Sequence, residues 1–159
     1  MATGHEIAMG LRAAYGRMHR QSNLCLARRT VTVDQFVLLT LLAEQDGVTQ
    51  QELVRRASSD ANTIRAMLVL MEDRGLVARR PHPIDGRARC VSLTRKGRQT
   101  LDRLWTESEP VRQRLLAPFT PEEADLLVNF LTRISEAMSQ EYGGTPTTET
   151  EQVLKGERR

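Results

Sequence analysis

The sequence predicts a mainly α-helical fold interrupted by one small antiparallel β-hairpin. Three observations predict it. Apolar residues recur at helical spacing along most of the chain. Helix-opening signatures of the form Thr-x-x-Gln or Thr-x-x-Glu begin at Thr32, Thr49 and Thr120. After Gly75 the period changes: 76–80 is short and strand-like, Pro81 and Pro83 stop a helix, and Asp85-Gly86 is a turn dipeptide.

The elements follow in order. A first helix is predicted over about 5–27, where Ile7, Leu11, Ala14, Tyr15, Met18 and Cys25 fall near one stripe. A second begins after Thr32, with Gln35 closing the capping box. Its run 36–42 is apolar nearly all round, as in a helix buried on most sides. Gly47 ends it. Thr49 and Glu52 form a second box and open a short third helix, with Leu53, Val54 and Ala57 inward. Ser58, Ser59 and Asp60 are capping residues ahead of a fourth helix. That helix carries Ile64, Met67, Leu68 and Met71 on one face and meets its C-terminal glycine at Gly75.

Residues 88–93 return as a second strand, with Val91 and Leu93 on one side and Cys90 and Ser92 on the other. The hairpin tip is placed at 84–87. Thr94 caps a long helix along Leu101, Leu104, Trp105, Val111, Leu115 and Phe119, which Pro110 should kink or divide. Pro118 and Thr120-Pro121 mark a turn, and Thr120 with Glu123 opens a last helix to about 142. Its stripe is Leu127, Phe130, Leu131, Ile134 and Met138. The polar stretch from Gly143 onward reads as a mobile tail.

Composition narrows the function. With 159 residues, 40% of them hydrophobic, the chain can bury one ordinary core. Only 4% of residues are aromatic, which counts against base-stacking platforms for single strands. The longest nearly apolar run, 36–43, falls far short of the roughly 20 residues a membrane helix needs. No signal peptide is legible in MATGHEI, so a cytoplasmic protein without a membrane partner is expected. Two cysteines, Cys25 and Cys90, make no disulfide framework.

The net charge of +3 conceals an asymmetry. The block 55–98 holds 11 basic and 4 acidic residues, a local charge of +7, and the remainder carries −4. Such clustering is an electrostatic footprint for nucleic acid. Of the 23 basic residues, all but Lys96 and Lys155 are arginine. Arginine presents planar, multi-donor contacts to phosphates and base edges.

Two short helices joined by a small turn make a DNA-binding helix-turn-helix unit, whose second helix enters the major groove N-terminus first. Here those first residues are Ser59, Asn62, Thr63 and Arg65. Asparagine pairs with adenine, arginine with guanine, and a threonine methyl meets the thymine methyl. The plainer reading makes Ser59 and Asp60 caps only, with Arg65 in solvent. The hairpin carries Arg79 and Arg80 on one arm, Arg87 near the tip and Arg89 on the other arm. A basic loop of that shape suits a narrow minor groove. The competing reading is charge that protects a sheet edge.

With these pieces in place, 31–98 resembles the MarR family of bacterial winged helix-turn-helix regulators. The matching text includes GVTQQEL, MEDRGLVARR and DGRARCVSLTRKG, within a stretch of about 68 residues. The resemblance implies a winged helix-turn-helix at 32–98 and a helical dimerisation region at 1–31 and 99–142, leaving 143–159 as tail. It implies a homodimer on double-stranded DNA of near-palindromic sequence, acting as a ligand-responsive repressor. The family's Asp-x-Arg wing motif falls on Asp85 and Arg87, which makes Arg87 the minor-groove probe and Asp85 an orienting partner. Arg55, Arg56, Arg74, Arg79 and Arg80, with amides near Thr49 and Gln50, are then phosphate contacts. One departure stands out. Many members carry a Thr-Arg pair where this chain has Arg65 and Ala66, so the arginine is displaced by one residue, about 100° around the helix.

Relatives bind small, often aromatic or anionic, effectors between the two regions. Tyr15, Met18 and Trp105 either line such a pocket or belong to the dimer core, and Arg12 either holds an anion or is surface charge. Cys25, with Arg28 and Arg29 close in sequence, raises an oxidant-sensing alternative against that of a small buried hydrophobe. A protein-interaction module that uses the same fold without reading DNA is the rival from another class. His5, His19 and His82 show no metal-ligand spacing, and no nucleophile, base and orienting residue assemble locally. No metal, cofactor or enzyme activity is predicted.

Overall fold

A computed structural model describes residues 1–27, 31–82, 84 and 89–139. Asp85, Arg87, Arg28, Arg29 and the tail 143–159 lie outside the described residues. The chain divides into two units, 1–115 and 116–159.

In the first unit, helix α1 spans Gly4–Leu26. Thr3 caps it with a complete box: its Oγ1 accepts from the Glu6 amide, and the Glu6 carboxylate accepts from the Thr3 amide. Helix α2, Val33–Glu44, opens on the predicted Thr32–Gln35 box with both of its hydrogen bonds. It ends before Gly47, at an extended Gln45. Strand β1, Val48–Thr49, was not anticipated by the sequence pattern. Helix α3, Gln50–Arg56, and helix α4, Ala61–Asp73, form the helix-turn-helix. Ser58 takes the left-handed conformation in the turn between them, at φ 48°.

Helix α4 ends in a Schellman motif. Gly75, at φ +67°, donates to Glu72 O (2.8 Å), and Leu76 donates to Met71 O (2.8 Å). The chain then forms β2, Val77–Pro81, and β3, Arg89–Leu93. The sheet is antiparallel in order β1-β3-β2, with Val48 opposite Val91 and Arg79 also opposite Val91 on the other side. Helix α5, Arg95–Glu107, starts at the Thr94 cap. Pro110 divides the long helix as the sequence predicts: Ser108 terminates α5, and α6 runs over Glu109–Leu116.

One core organises this unit. Leu38, Leu39 and Leu42 of α2, Leu53 of α3, Ile64, Leu68 and Met71 of α4, Val91 of β3 and Leu104 of α5 are all fully enclosed. Completely burying one such side chain stabilises the fold by about 1.5–3 kcal/mol. The end of α4 is locked onto the start of α5. Thr94 Oγ1 donates to Gly75 O (2.6 Å), and Lys96 Nζ donates to Arg74 O (2.6 Å). Gly97 packs so tightly that a Cβ there would lie 2.0 Å from Leu76 O.

In the second unit, helix α7 spans Pro121–Ser139. Its predicted Thr120–Glu123 box is complete, with both reciprocal hydrogen bonds. Leu126, Leu127, Val128, Phe130, Leu131 and Met138 are all exposed.

Candidate nucleic-acid interface

Helix α4 has two faces with different chemistry. Ile64, Leu68 and Met71 are buried, and Asn62, Thr63 and Arg65 are exposed on the opposite side. Asp60, not Ser59, is the N-cap. Its Oδ1 accepts from the Thr63 amide (2.9 Å), and its Oδ2 accepts from Thr63 Oγ1 (2.6 Å). These hydrogen bonds hold the Asp60 carboxyl below its ordinary pKa. The Thr63 hydroxyl proton is therefore engaged, which leaves its methyl and a lone pair for an incoming base. Ser59 is half-buried in the turn.

The N-terminus of α3 lies close by. Thr49 Oγ1 accepts from the Glu52 amide (3.2 Å). The predicted box is only half formed, because the Glu52 carboxylate turns to Arg55, accepting from its Nε at 3.0 Å and its Nη2 at 2.5 Å. This pairing lowers the Glu52 pKa and raises that of Arg55.

The basic residues do not form one uniform phosphate-binding row. Arg55 is 74% exposed, and its pairing with Glu52 is a surface contact that DNA can replace. Arg56 is only 18% exposed and pairs with Glu44 of α2, with its Nη1 buried and lacking a hydrogen-bond partner. Its placement is that of a brace between α2 and α3. Arg74 is half-buried, and its Nη1 donates to Gln35 Oε1 (3.4 Å). Arg79 donates through Nε to Glu72 Oε2 (2.7 Å), and its backbone amide donates to Glu72 Oε1 (3.3 Å). Arg80 and Arg89 are exposed.

Tertiary packing nevertheless gathers residues from four elements. Gln50 of α3, Arg65 and Glu72 of α4, Arg79 of β2 and Arg89 of β3 line a polar cavity of about 430 Å³. Four of the five are sequence-predicted contacts. Glu72 was not among them. A signal for it was present: Glu72 lies seven residues after Arg65, two helical turns on, and therefore on the same face. The wing residues Asp85 and Arg87 lie outside the described residues.

The residues considered for an effector fall into two groups. Arg12 and Tyr15 line an open depression of about 560 Å³ with Met9, Arg17 and Arg20. Met18 is half-buried on the same helix. Trp105 lies edge-on to Phe36, with ring centroids 6.3 Å apart, and beneath the Arg112 guanidinium, 4.2 Å from the ring centroid. Cys25 is half-buried, and its thiol donates to Glu107 O (2.9 Å), a use that ties α1 to the end of α5. No helix among the described residues is long and apolar enough to cross a membrane.

Comparison with known proteins gives consistent results. The MarR family model matches residues 31–88. The chain is 31% identical over 107 residues to the transcriptional regulator HosA of Escherichia coli O111:H-, covering 67% of this chain and 79% of HosA. It is 32% identical over 104 residues to the HTH-type transcriptional regulator YdgJ of Bacillus subtilis (strain 168), covering 65% of this chain and 63% of YdgJ. Among solved structures, the transcriptional repressor CouR bound to a 23-mer DNA duplex superposes with a TM-score of 0.72 at 28% identity. That match covers 85% of this chain and 99% of CouR.

Proposed function

The chain belongs to the MarR family of transcriptional regulators, and from that premise we propose that it is a homodimeric repressor holding a near-palindromic operator. In this reading 32–98 binds DNA, 1–31 and 99–142 pair two copies, and the protein acts in the cytoplasm without catalysis. Arg65, Asn62 and Thr63 read bases in the major groove, and Arg87 probes the minor groove with Asp85 as its partner. Arg55, Arg80 and Arg89, with amides near Thr49 and Gln50, hold phosphates. A small aromatic or anionic effector near Arg12, Tyr15, Met18 or Trp105 releases the DNA.

The two-faced α4 carries this reading. Its buried face fixes the helix to the core and leaves Asn62, Thr63 and Arg65 exposed next to a basic cavity. The pairing of two copies is supported by α7, on which no residue is buried although Leu127, Phe130 and Leu131 share one stripe.

The experiment is selection from random duplex DNA by the purified protein at near-physiological salt, followed by sequencing. The expected result is a two-fold-symmetric motif with half-site centres about 10 base pairs apart. Preference over random DNA should reach about 10³-fold or more. An unenriched pool, with binding that vanishes as salt rises, would overturn the reading in favour of a basic surface alone. On the selected operator, Arg87→Ala should weaken binding while leaving the dimer intact.

A further inference from the structure

A carboxylate stands among the arginines of the interface. Glu72, near the C-terminal end of α4, lines the 430 Å³ cavity with Arg65, Arg79, Arg89 and Gln50. It holds Arg79 at three points: the backbone amide, Nε, and an ion pair to Nη2. The two side chains are only 25% and 35% exposed. Arg89 is close enough to act on the same carboxylate through its charge. Arg65 makes no ion pair among the described residues.

A negative charge on a surface that meets a polyanion opposes binding. Two consequences follow from the geometry. Arg79 cannot swing to an arbitrary phosphate without leaving Glu72 unpaired beside the DNA. A phosphate entering the cavity off-register meets the carboxylate, and like-charge approach of this kind rejects wrong partners more than it weakens right ones.

We propose that Glu72 is a specificity-determining positioning residue, which restrains Arg79 and repels misplaced phosphates so that binding to arbitrary duplex is suppressed more than binding to the operator. This inference rests on the DNA-binding reading above. Arg65 and Arg89 are then the cavity's productive contacts, and Arg79 is a restrained charge.

The test uses the full chain carrying Glu72→Gln, which removes the charge and keeps the size and an acceptor oxygen. Dissociation constants are measured on random duplex and on the selected operator across a salt series. Each further phosphate neutralised steepens the logarithmic salt dependence by about 0.9, so the random-duplex slope should steepen by about one. Random-duplex affinity at low salt should rise roughly three- to tenfold, with operator affinity changing less. Because the freed charge belongs to Arg79, adding Arg79→Gln should restore the wild-type slope. Arg79→Gln alone leaves the Glu72 carboxylate unpaired, so random-duplex binding should weaken more than operator binding, with no steepening of the slope, and this variant keeps the test alive should Glu72→Gln fold poorly.

A Glu72→Gln slope and discrimination equal to wild type would overturn the proposal. So would a steepened slope that persists in the double variant, or an operator-to-random preference that falls in Arg79→Gln alone. Absence of duplex binding by wild type and variants alike would overturn the DNA-binding reading itself, a result distinct from these.

Discussion

The winged-helix stretch and the chain ends treat apolar surface in opposite ways. Among the described residues, every buried apolar side chain lies between Leu26 and Leu104. Ahead of Leu26 no residue of α1 is buried, and Ile7, Met9, Tyr15 and Leu24 are exposed. Helices α6 and α7 have no buried residue, although both carry large apolar side chains. A helix with an apolar stripe needs a surface to cover it. The comparison teaches that one core organises the stretch from Leu26 to Leu104, while α6, α7 and most of α1 carry apolar side chains that this core does not cover.

The sharpest way to break this contrast is a matched pair of truncations. Leu68→Ala, inside the core, should cost about 2–5 kcal/mol at any protein concentration. Leu127→Ala, on α7, should act through association, so its effect on Tm should grow with protein concentration. Thermal melts at several concentrations check both. A concentration-independent loss for Leu127→Ala as large as that for Leu68→Ala would erase the distinction.

Gly97→Ala ranks next. The added Cβ would meet the Leu76 carbonyl at 2.0 Å, and backbone must move to admit it. A cost of about 1–3 kcal/mol in denaturant melts is expected. Gly10→Ala, with open space around it, should be harmless or stabilising in the same assay.

Arg65→Ala tests the exposed face of α4 without touching the core. Operator binding should weaken by about 1–3 kcal/mol, with relaxed preference at one base position and unchanged Tm. A purely structural Arg65 would shift Tm and leave base preference alone.

The smallest expected effect is one of pH. The Asp60 carboxyl sits below its ordinary value of 3.8 because Thr63 donates to it twice. A depressed folded-state pKa stabilises the fold at pH above the unfolded value, and that stability fades as pH falls through the folded value. Wild type should therefore lose stability below about pH 4 more steeply than Asp60→Asn, which caps without titrating. Superimposable melting profiles against pH would remove Asp60 from the account.

How legible each feature was in the sequence followed from how local its cause is. The Thr32–Gln35 and Thr120–Glu123 boxes, the Gly75 terminus and the break at Pro110 were all readable, because each rests on partners within five residues. The same Thr-x-x-Glu text at Thr49 forms only half a box, since Arg55 competes for Glu52. Strand β1 was not legible: two residues make no pattern, and Val48 is a strand residue only because Val91 lies opposite it. The roles of the arginines split in the same way. Their clustering was plain in composition, but Arg56 pairs with Glu44 and Arg79 with Glu72 through contacts that packing creates.

The sequence by itself determined where most helices start and stop, which residues of 32–98 face the core, and that one block of the chain is strongly basic. These depend on hydrogen bonds and periodicities spanning a turn or two of helix. Only the tertiary structure decided which basic side chains are available to a partner. That choice is set by the distance between a guanidinium and a carboxylate on different elements, as at Arg56 and Glu44 of α3 and α2 or Arg79 and Glu72 of β2 and α4. Charge pairing falls off over a few ångströms, and spacing along the chain does not encode such distances between elements.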